Sequence, residues 1–319
     1  MSKVVIIGGS GHVGTYLVPR LVEAGFEVVN VTRGQRQPYQ PHAAWKSVRT
    51  VIADRGAEEK AGTFGAKIRD LKADIVIDMI CFTLASARHL VEALRGEVGH
   101  FLHTGTIWVH GPSAVVPTTE MQPRTPFGTY GIEKAAIEAY LLAAAHRDRF
   151  PATVLHPGHI VGPGWAPVNP AGHFNAAAFS TIAQGRELAL PNLGMETVHH
   201  VHADDVAQIF MKAIANWSAS VGEAFHAVSP AAVTLRGFAE AMAAWFGVEP
   251  NLVFVPWQEW KARQTSAEDA EATWQHIAHS PNCSIAKAER LLGYRPRYSS
   301  LQAVQESVAW LMAEGTVTR

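Results

Sequence analysis

Three short motifs in this 319-residue chain carry side chains that could act together in one reaction. The glycine-rich segment Gly8–Gly14 follows the first apolar run, and Thr106 follows a later one. Tyr130 and Lys134 stand at the start of an Ala-rich segment. Glycine-rich turns bind phosphate groups, while a hydroxyl, a phenol and an ammonium can move a proton at an oxygen atom. Together the motifs predict redox chemistry on a carbonyl or an alcohol.

Tyr130 and Lys134 are spaced for joint action, because residues four apart lie on one face of a helix. An ammonium close to a phenol is expected to lower the pKa of the phenol. Tyr130 could then exchange a proton with a substrate oxygen that the Thr106 hydroxyl holds. A surface pair is the alternative for an isolated Tyr-x-x-x-Lys. The order of the three motifs favours Thr106, Tyr130 and Lys134 as catalytic residues.

The spacing of Gly8, Gly11 and Gly14, between a predicted strand and a predicted helix, is typical of a dinucleotide site. The glycines permit a tight turn and let main-chain N–H groups approach a pyrophosphate, and the helix start adds its positive end. A plain glycine-rich turn is the alternative. The flanking elements favour dinucleotide binding.

The end of the second predicted strand indicates which dinucleotide is bound. An acid there hydrogen-bonds a ribose 2′-hydroxyl, whereas a cation accommodates a 2′-phosphate. This chain has Thr32 followed by Arg33, with Arg36 nearby and no acid. We therefore expect NADP, with NAD as the alternative, although Arg33 could also be a solvated loop residue. Asp54, after the third strand, is expected at the adenine amino group, its alternative being an ordinary turn residue.

Short β-branched runs alternate with helical patterns through the first half of the chain, which predicts an α/β fold with a doubly wound parallel sheet of the Rossmann type. The runs are Val4–Ile7, Val28–Val31, Val48–Ile52, Ile75–Ile80, Phe101–His103 and Thr153–Leu155.

The pattern changes after the breaker-rich loop Pro163–Pro170, and the tail is mainly helical. We predict a dinucleotide-binding domain over 1–165 with a return segment at about 203–230. A smaller, mostly helical substrate lobe is predicted to comprise 166–202 and 231–319.

Composition excludes several classes of protein. The chain is 48% hydrophobic and 17% charged, so a large core is expected, and the net charge of −1 argues against a nucleic-acid partner. No apolar run approaches the ~18 residues of a membrane span, and the start lacks the features of a signal peptide. Cys81 and Cys283 lie far apart, as in a reduced, cytoplasmic protein. A buried Cys81 is favoured over a nucleophilic one.

The chain has sixteen histidines, and a metal site is therefore one hypothesis, particularly at His199, His200 and His202. No Cys or acid joins them except Asp204 and Asp205, and Asp204 is expected to cap the following helix. We therefore predict no metal site and favour substrate contact by His159 or His199.

With these motifs the chain resembles the short-chain dehydrogenase/reductase superfamily, in its extended or atypical branch, the NAD-dependent epimerase/dehydratase family. The matching stretches are Gly8-x-x-Gly11-x-x-Gly14, Gly105–Gly111 with Thr106, Tyr130-x-x-x-Lys134, His156–Pro163, Asp204–Ala207 and Leu292–Pro296. The pairs Arg33-Gly34 and Asp54-Arg55 look most like atypical members that include chloroplast stem-loop-binding proteins. The resemblance implies a Rossmann lobe, a small C-terminal substrate lobe and often a dimer.

The candidate cofactor-binding residues are Gly8, Gly11, His12, Val13, Gly14, Thr32, Arg33, Asp54, Arg55, Met79, Thr104, Tyr130, Lys134 and Pro157. The candidate substrate-binding residues are Cys81, Phe82, Trp108, His159, Trp165 and His199. A homodimer is expected, because the segment Ile132–Ala145 has apolar residues on several sides of a helix.

Departures from the family pattern limit the classes of substrate that we expect. Family 4,6-dehydratases have Asp-Glu after the catalytic Thr, whereas this chain has Ile107 and Trp108, which disfavours elimination. Val198 occupies the position of the Arg that commonly holds the diphosphate of a nucleotide-sugar, and His159 replaces an Asn that contacts it. A nucleoside diphosphate substrate is therefore disfavoured.

Three functions remain open. The first is an NADP-dependent reductase or dehydrogenase of a small polyol, sugar or other carbonyl compound. The second is a sugar epimerase with tightly bound cofactor. The third is a non-catalytic cofactor-sensing or RNA-binding protein, which the intact Thr106, Tyr130 and Lys134 argue against. Fold alone does not choose between the first two.

Overall fold

The computed structural model describes residues 2–319, which form an α/β protein. Its strands are β1 (Lys3–Ile7), β2 (Glu27–Thr32), β3 (Arg49–Ile52), β4 (Ile75–Asp78), β5 (His100–Thr104), β6 (Ala152–Pro157), β7 (His159–Val161), β8 (Leu188–Pro191), β9 (Thr197–Val198), β10 (His200–His202), β11 (Ala224–Ala227), β12 (Val233–Thr234) and β13 (Leu252–Val255).

The α-helices alternate with the strands in the first half and dominate the last third. They are α1 (His12–Glu23), α2 (Arg55–Lys60), α3 (Phe64–Asp70), α4 (Leu84–Leu94), α5 (Gly128–Asp148), α6 (Ala177–Ala183), α7 (Ala203–Ala215), α8 (Trp217–Ser220), α9 (Leu235–Phe246), α10 (Trp257–Arg263), α11 (Ala267–His279), α12 (Ala286–Leu292) and α13 (Ser300–Ala313). Within residues 2–319, none of these helices combines the length and the apolar character that crossing a bilayer requires.

The central sheet has seven strands in the order β11-β6-β5-β4-β1-β2-β3, and every pair is parallel. Each predicted run forms one of the strands β1 to β6, so the predicted Rossmann fold is confirmed. The chain runs outward from β1 to β3 and then returns to β4 on the other side of β1. Ligands of such sheets bind at the carboxyl ends of the strands where the order reverses.

Alternation along β1 explains why the sheet is covered on both faces. Val4 and Ile6 belong to one apolar cluster, whereas Val5 and Ile7 belong to another, and all four are at most 1% exposed. Successive side chains of a strand point to opposite faces. An apolar run without polar interruption therefore needs helices on both sides.

A third apolar cluster lies in the C-terminal part of the chain. Phe179, Phe238, Trp260 and Val304 are at its centre, each at most 1% exposed. β11, the edge strand of the large sheet, falls within the predicted return segment 203–230. The exact division into 1–165 with 203–230, and 166–202 with 231–319, stays a prediction.

The start of α7 differs from the prediction, because Asp204 is not its N-cap. His202 takes that position, and its Nδ1 accepts the N–H of Asp204 at 3.0 Å. The Asp204 carboxylate instead pairs with Arg20 at 2.5 Å and with Arg297 at 3.0 Å. Two guanidiniums from distant segments attract the carboxylate more strongly than one main-chain N–H does.

The glycines at the start of α1 have different roles. Gly8 has φ +90°, a conformation that favours glycine. A Cβ on Gly14 would overlap the main-chain carbonyl of Gly9, whereas the nearest atom to a Cβ on Gly11 would be the Gly8 carbonyl oxygen at 3.5 Å. Gly14 thus allows the helix to pack tightly on the turn after β1, and Gly11 leaves the helix start open to a ligand.

Gly14→Ala is expected to lower the free energy of unfolding by about 1–3 kcal/mol, because the new methyl group overlaps a main-chain oxygen that is fixed between β1 and α1. Gly11→Ala is the matched control and should stay within about 0.5 kcal/mol of the wild type. Urea unfolding followed by circular dichroism measures both. Equal destabilisation by the two changes would contradict the packing role of Gly14.

Candidate active site

A cavity of about 710 Å³ lies at the carboxyl edge of the sheet, where the strand order reverses between β1 and β4. We call it the main cavity. The residues predicted from sequence that line it are His12, Met79, Phe82, Thr104, Thr106, Trp108, Tyr130, Lys134, Pro157, His159 and Trp165. The structure thus brings the three candidate catalytic residues together with most of the candidate substrate-binding residues.

Helix α5 positions Tyr130 and Lys134. The Lys134 Nζ donates hydrogen bonds to the main-chain oxygens of Cys81, at 2.8 Å, and Thr104, at 2.7 Å. Thr104 ends β5 and Cys81 follows β4 closely, so the ammonium fixes the helix to two neighbouring strand ends. Tyr130, one turn earlier, then lies close to the Thr106 side chain in the same cavity.

The pKa of Tyr130 differs from the sequence expectation. Tyr130 is 42% exposed as a whole, but desolvation raises the pKa of its phenol, partly offset by the polar Thr106 side chain. The Lys134 Nζ is directed at two carbonyls and lies 5.9 Å from the Tyr130 ring centroid, and it is not among the groups that lower the Tyr130 pKa. Burial lowers the pKa of Lys134 itself to about 8. Tyr130 is therefore a neutral phenol, the form that can donate a proton.

A buried group that sequence reasoning missed supports Thr106. The Thr106 N–H donates to His156 Nδ1 at 3.0 Å, so the His156 proton sits on Nε2, which faces Glu138 Oε1 at 3.1 Å. Arg124 contacts both oxygens of Glu138, at 2.9 and 2.6 Å. Burial alone would raise the pKa of Glu138, but His156 and Arg124 hold it well below its usual range.

His156 can approach Thr106 only because its neighbour lacks a side chain. A Cβ on Gly105 would overlap the imidazole ring of His156. One sequence feature could have indicated a role for His156. In the segment His156–Pro163, the family that this chain resembles has an Arg-Pro-Gly stretch, and His156 stands at the position of its Arg. Glu138, one turn after Lys134 on the catalytic helix, was the other signal.

A second cavity of about 530 Å³ lies beside the glycine-rich turn. The residues predicted from sequence that line it are Gly8, Gly11, Thr32, Arg33, Asp54 and Arg55, together with Arg36. Within residues 2–319, Arg33 and Arg36 are exposed and form no ion pair. Asp54 is the N-cap of α2 and accepts the Ala57 N–H at 3.0 Å, which is the turn role given as its alternative.

His12 and Trp165 form a stacked pair in the wall of the main cavity, and Phe82 lines both cavities. The rings of the pair stack almost in parallel, with an interplanar angle of 6°. Val13 and Gly14, which follow His12, are buried behind the turn and line neither cavity. Their role is the packing of α1.

The structure places Cys81 and His199 outside the main cavity. His199 is fully buried: its Nε2 lies 2.9 Å from the Ser229 carbonyl, and its Nδ1 accepts the Cys283 N–H at 3.1 Å. The Cys81 side chain is also fully buried, and only its main-chain oxygen takes part in the site, through Lys134. Sequence patterns locate a strand end but not the direction of each side chain.

Arg55 lines the second cavity but also belongs to an ion-pair group, so its role in cofactor binding stays a prediction. Its guanidinium contacts Asp78 and Glu59, each at 2.7 Å. Burial disfavours this charge, but the two carboxylates restore it and raise the pKa of Arg55. A charge satisfied in this way is a poor phosphate ligand.

Asp78, Cys81 and His103 bring potential metal-ligand atoms within 4.8 Å of one another. Asp78 is already paired with Arg55, and burial raises the pKa of the Cys81 thiol to about 12, so the thiol stays protonated. A protonated thiol and a neutralised carboxylate are weak cation ligands. The absence of a metal site stays a prediction.

Helix α11 contributes lining residues that sequence reasoning missed. Glu268, Glu271, Gln275 and His276 border the main cavity. The signal was the spacing of three and four residues between Glu268, Glu271 and Gln275, which places these three on one face of a helix. The sequence does not show how the last third of the chain packs against the rest of the protein. It therefore could not indicate that this face of α11 borders the main cavity.

Residues 4–227 of this chain match the model of the NAD dependent epimerase/dehydratase family. The chain belongs to this family. It is therefore an NAD(P)-dependent enzyme with a Rossmann-type α/β fold.

Two relatives match almost the whole chain. A 2'-dehydrokanamycin reductase from Streptomyces kanamyceticus is 27% identical over 315 residues, which cover 99% of this chain and 86% of the relative. A UDP-glucose 4-epimerase from Mycolicibacterium smegmatis is 24% identical over 327 residues, covering 96% and 97% respectively. The solved structure of MoeE5 in complex with UDP-glucose and NAD has a TM-score of 0.72 at 19% identity, covering 98% of this chain and 99% of MoeE5. That likeness establishes the fold.

His156→Phe is expected to lower kcat about 10- to 100-fold without changing cofactor affinity, because Thr106 loses the acceptor that fixes its main chain. His156→Asn keeps an oxygen that can accept the same N–H and should retain more activity. Steady-state kinetics and cofactor titration measure the two effects. An Asn variant as impaired as the Phe variant, or a parallel loss of cofactor affinity, would contradict the positioning role.

Proposed function

We propose that this protein is an NADP-dependent reductase or dehydrogenase that interconverts a carbonyl and an alcohol on a small hydroxylated compound. The observation that carries the proposal is the convergence of Thr106, Tyr130 and Lys134 on one cavity at the reversal point of the sheet. A purely cofactor-sensing protein would need none of the three.

The chain's features fit a dinucleotide. The open turn at Gly8 and Gly11 leaves room for a pyrophosphate at the start of α1. Thr32 and Arg33 would hold the adenosine half, and Lys134 the nicotinamide ribose. When bound, the dinucleotide supplies or accepts a hydride.

The side chains at the floor of the main cavity would handle the proton. Thr106 would hold the substrate oxygen, and Tyr130 would donate its phenol proton to that oxygen as the hydride reaches the carbonyl carbon. The carbonyl double bond becomes a C–H and an O–H bond, and Tyr130 is left as a phenolate that recovers a proton from water. The raised pKa of Tyr130 supports the direction of reduction, since it keeps the phenol protonated.

NADP rather than NAD is supported by Arg33 and Arg36, two exposed guanidiniums that line the second cavity without carboxylate partners in residues 2–319. A 2′-phosphate would occupy the position that these cations surround.

A nucleoside diphosphate sugar is disfavoured as the substrate. Val198, at the family position of the phosphate-binding Arg, is fully buried in the C-terminal apolar cluster. Arg186, upstream of Val198 in the chain, is the cation that could take the place of this Arg. It is exposed and lies outside the described lining of the main cavity. Two phosphates entering this cavity would find no free cation to replace their hydration. This distinguishes the proposal from the UDP-glucose 4-epimerase relative and agrees with the reductase relative.

We also propose that the protein is a cytoplasmic homodimer whose partner is a small-molecule substrate. α5 presents Ile132 with 52% of its surface exposed, which supports a helix-packed dimer.

Tyr130→Phe is expected to lower turnover by about 10²–10⁴-fold while cofactor binding persists, because the ring remains and the transferable proton is lost. The assay follows the absorbance of reduced cofactor across a panel of carbonyl compounds and polyols. A net change in absorbance identifies a reductase or dehydrogenase, whereas turnover with no net change identifies an epimerase. Near-normal kcat in the purified variant would refute the assignment of Tyr130.

Arg33→Ala is expected to weaken NADP binding by roughly one to two orders of magnitude and to leave NAD binding nearly unchanged, because only NADP carries the 2′-phosphate. Arg290→Ala, at an exposed position on α12, is the control and should change neither affinity. Calorimetric titration with each dinucleotide measures the constants. Equal losses for both cofactors, or tighter binding of NAD by the wild type, would refute the preference.

A further inference from the structure

One wall of the main cavity carries two carboxylates. Glu268, Glu271 and Gln275 recur every three or four residues along α11, and all three line the cavity. His276, which follows Gln275, is on the buried side of the helix and only 2% exposed, whereas Glu268 and Glu271 are exposed residues. The acids therefore border the same cavity as Tyr130 from the exposed side of α11.

The cavity does not neutralise these acids. In residues 2–319, no Lys or Arg forms an ion pair with Glu268 or Glu271. Glu271 accepts a hydrogen bond from the neutral Gln275 amide at 2.6 Å. Lys134 is the one Lys or Arg among the described lining residues, and its ammonium is directed at the carbonyls of Cys81 and Thr104 rather than at these acids. Within residues 2–319, the α11 wall thus carries negative charge that no ion pair balances.

The histidines of the cavity leave that charge in place. Burial lowers the pKa of His159 well below its usual value, with His276 and His200 adding to the effect, and burial lowers the pKa of His276 to about 4. Both rings are therefore neutral at pH 7.

An independent observation shows that the cavity is built for a polar ligand. His159 lines it, and the Nε2 of this residue is buried without a hydrogen-bond partner in residues 2–319. A buried ring nitrogen in this state loses free energy unless a ligand group pairs with it. Trp108 and Phe174 border the same space with apolar rings.

Helix stability explains only part of this arrangement. Glu268 lies in the first turn of α11, where an acid interacts favourably with the helix dipole. Glu271 lies beyond that turn, where the dipole effect has faded. Both glutamates are exposed residues of the cavity lining, so an ammonium bound there gains a solvent-screened attraction to two unpaired carboxylates.

We infer that the substrate is a hydroxylated ring compound bearing a protonated amino group, which Glu268 and Glu271 bind while the ring packs against Trp108 and Phe174. This inference rests on the proposed reductase function and adds the charge of its substrate. A hydroxyl or amine of the same ring pairs with His159 Nε2. The ammonium lies on the α11 side of the cavity, and the reacting carbon lies on the Tyr130 side.

The test compares three closely matched sugars: D-glucosamine, its uncharged N-acetyl derivative and D-glucose. Calorimetric titration into the cofactor-loaded Tyr130→Phe protein measures binding without turnover. D-glucosamine is expected to bind at least 10-fold more tightly than either neutral sugar, and added salt should reduce the difference. Equal affinities, or no glucosamine binding up to about 50 mM, would overturn the inference.

Variants of the wall locate the effect. The double change Glu268→Gln and Glu271→Gln should abolish the preference for the amine, whereas Glu249→Gln, the same chemical change at an exposed site outside the cavity, should keep it. A preference that survives in the double variant would refute the role of α11.

The same titrations separate this inference from the proposed function. Selective amine binding without any cofactor turnover by the wild type would contradict the proposed reductase function and support the cation site. Reduction of neutral carbonyl compounds with no amine preference would support the reductase function and contradict the cation site. Micromolar binding of UDP-glucose would overturn the cation site.

Discussion

The buried ammonium of Lys134 is the interaction on which the rest of the site depends. It is held by main-chain oxygens of two neighbouring strand ends, Thr104 and Cys81, and its side chain is only 2% exposed. An ammonium out of water must find such acceptors, so α5 can dock on the sheet in only one rotation. Tyr130, one turn earlier, is then directed at Thr106. The fall of the Lys134 pKa to about 8 reflects the free-energy cost of this burial.

The same helix holds the site a second time, one turn after Lys134. Glu138 lies 3.1 Å from His156, and His156 accepts the Thr106 N–H, so α5 also supports the main chain at the candidate residue Thr106. Residues 130, 134 and 138 lie along one side of the helix. Arg124 contacts both oxygens of Glu138 and balances its charge.

The sequence predicted the parts of this protein that depend on local pattern. Apolar runs gave the strands of the large sheet, because a strand buried on both faces cannot be polar, and helical spacing placed Tyr130 beside Lys134. It could not indicate side-chain partners that are distant in the chain. Arg55 meets Asp78, and His199 meets Ser229 and Cys283, through contacts that the tertiary fold alone creates. The predicted fall in the Tyr130 pKa was wrong for the same reason, because burial of the phenol, which only the tertiary fold creates, raises it.

The distribution of charge along the carboxyl edge of the sheet shows how a nearly neutral chain can still select charged ligands. Its net charge of −1 gives no long-range field, yet the second cavity presents Arg33 and Arg36, and the main cavity presents Glu268 and Glu271. Phe82 lines both cavities, so the two adjoin along this edge. Exposed charges are screened over about one Debye length, so each set acts mainly on the ligand group nearest to it. Opposite local charges at the two ends therefore favour one orientation: phosphates beside the arginines, and the reacting compound beside Tyr130.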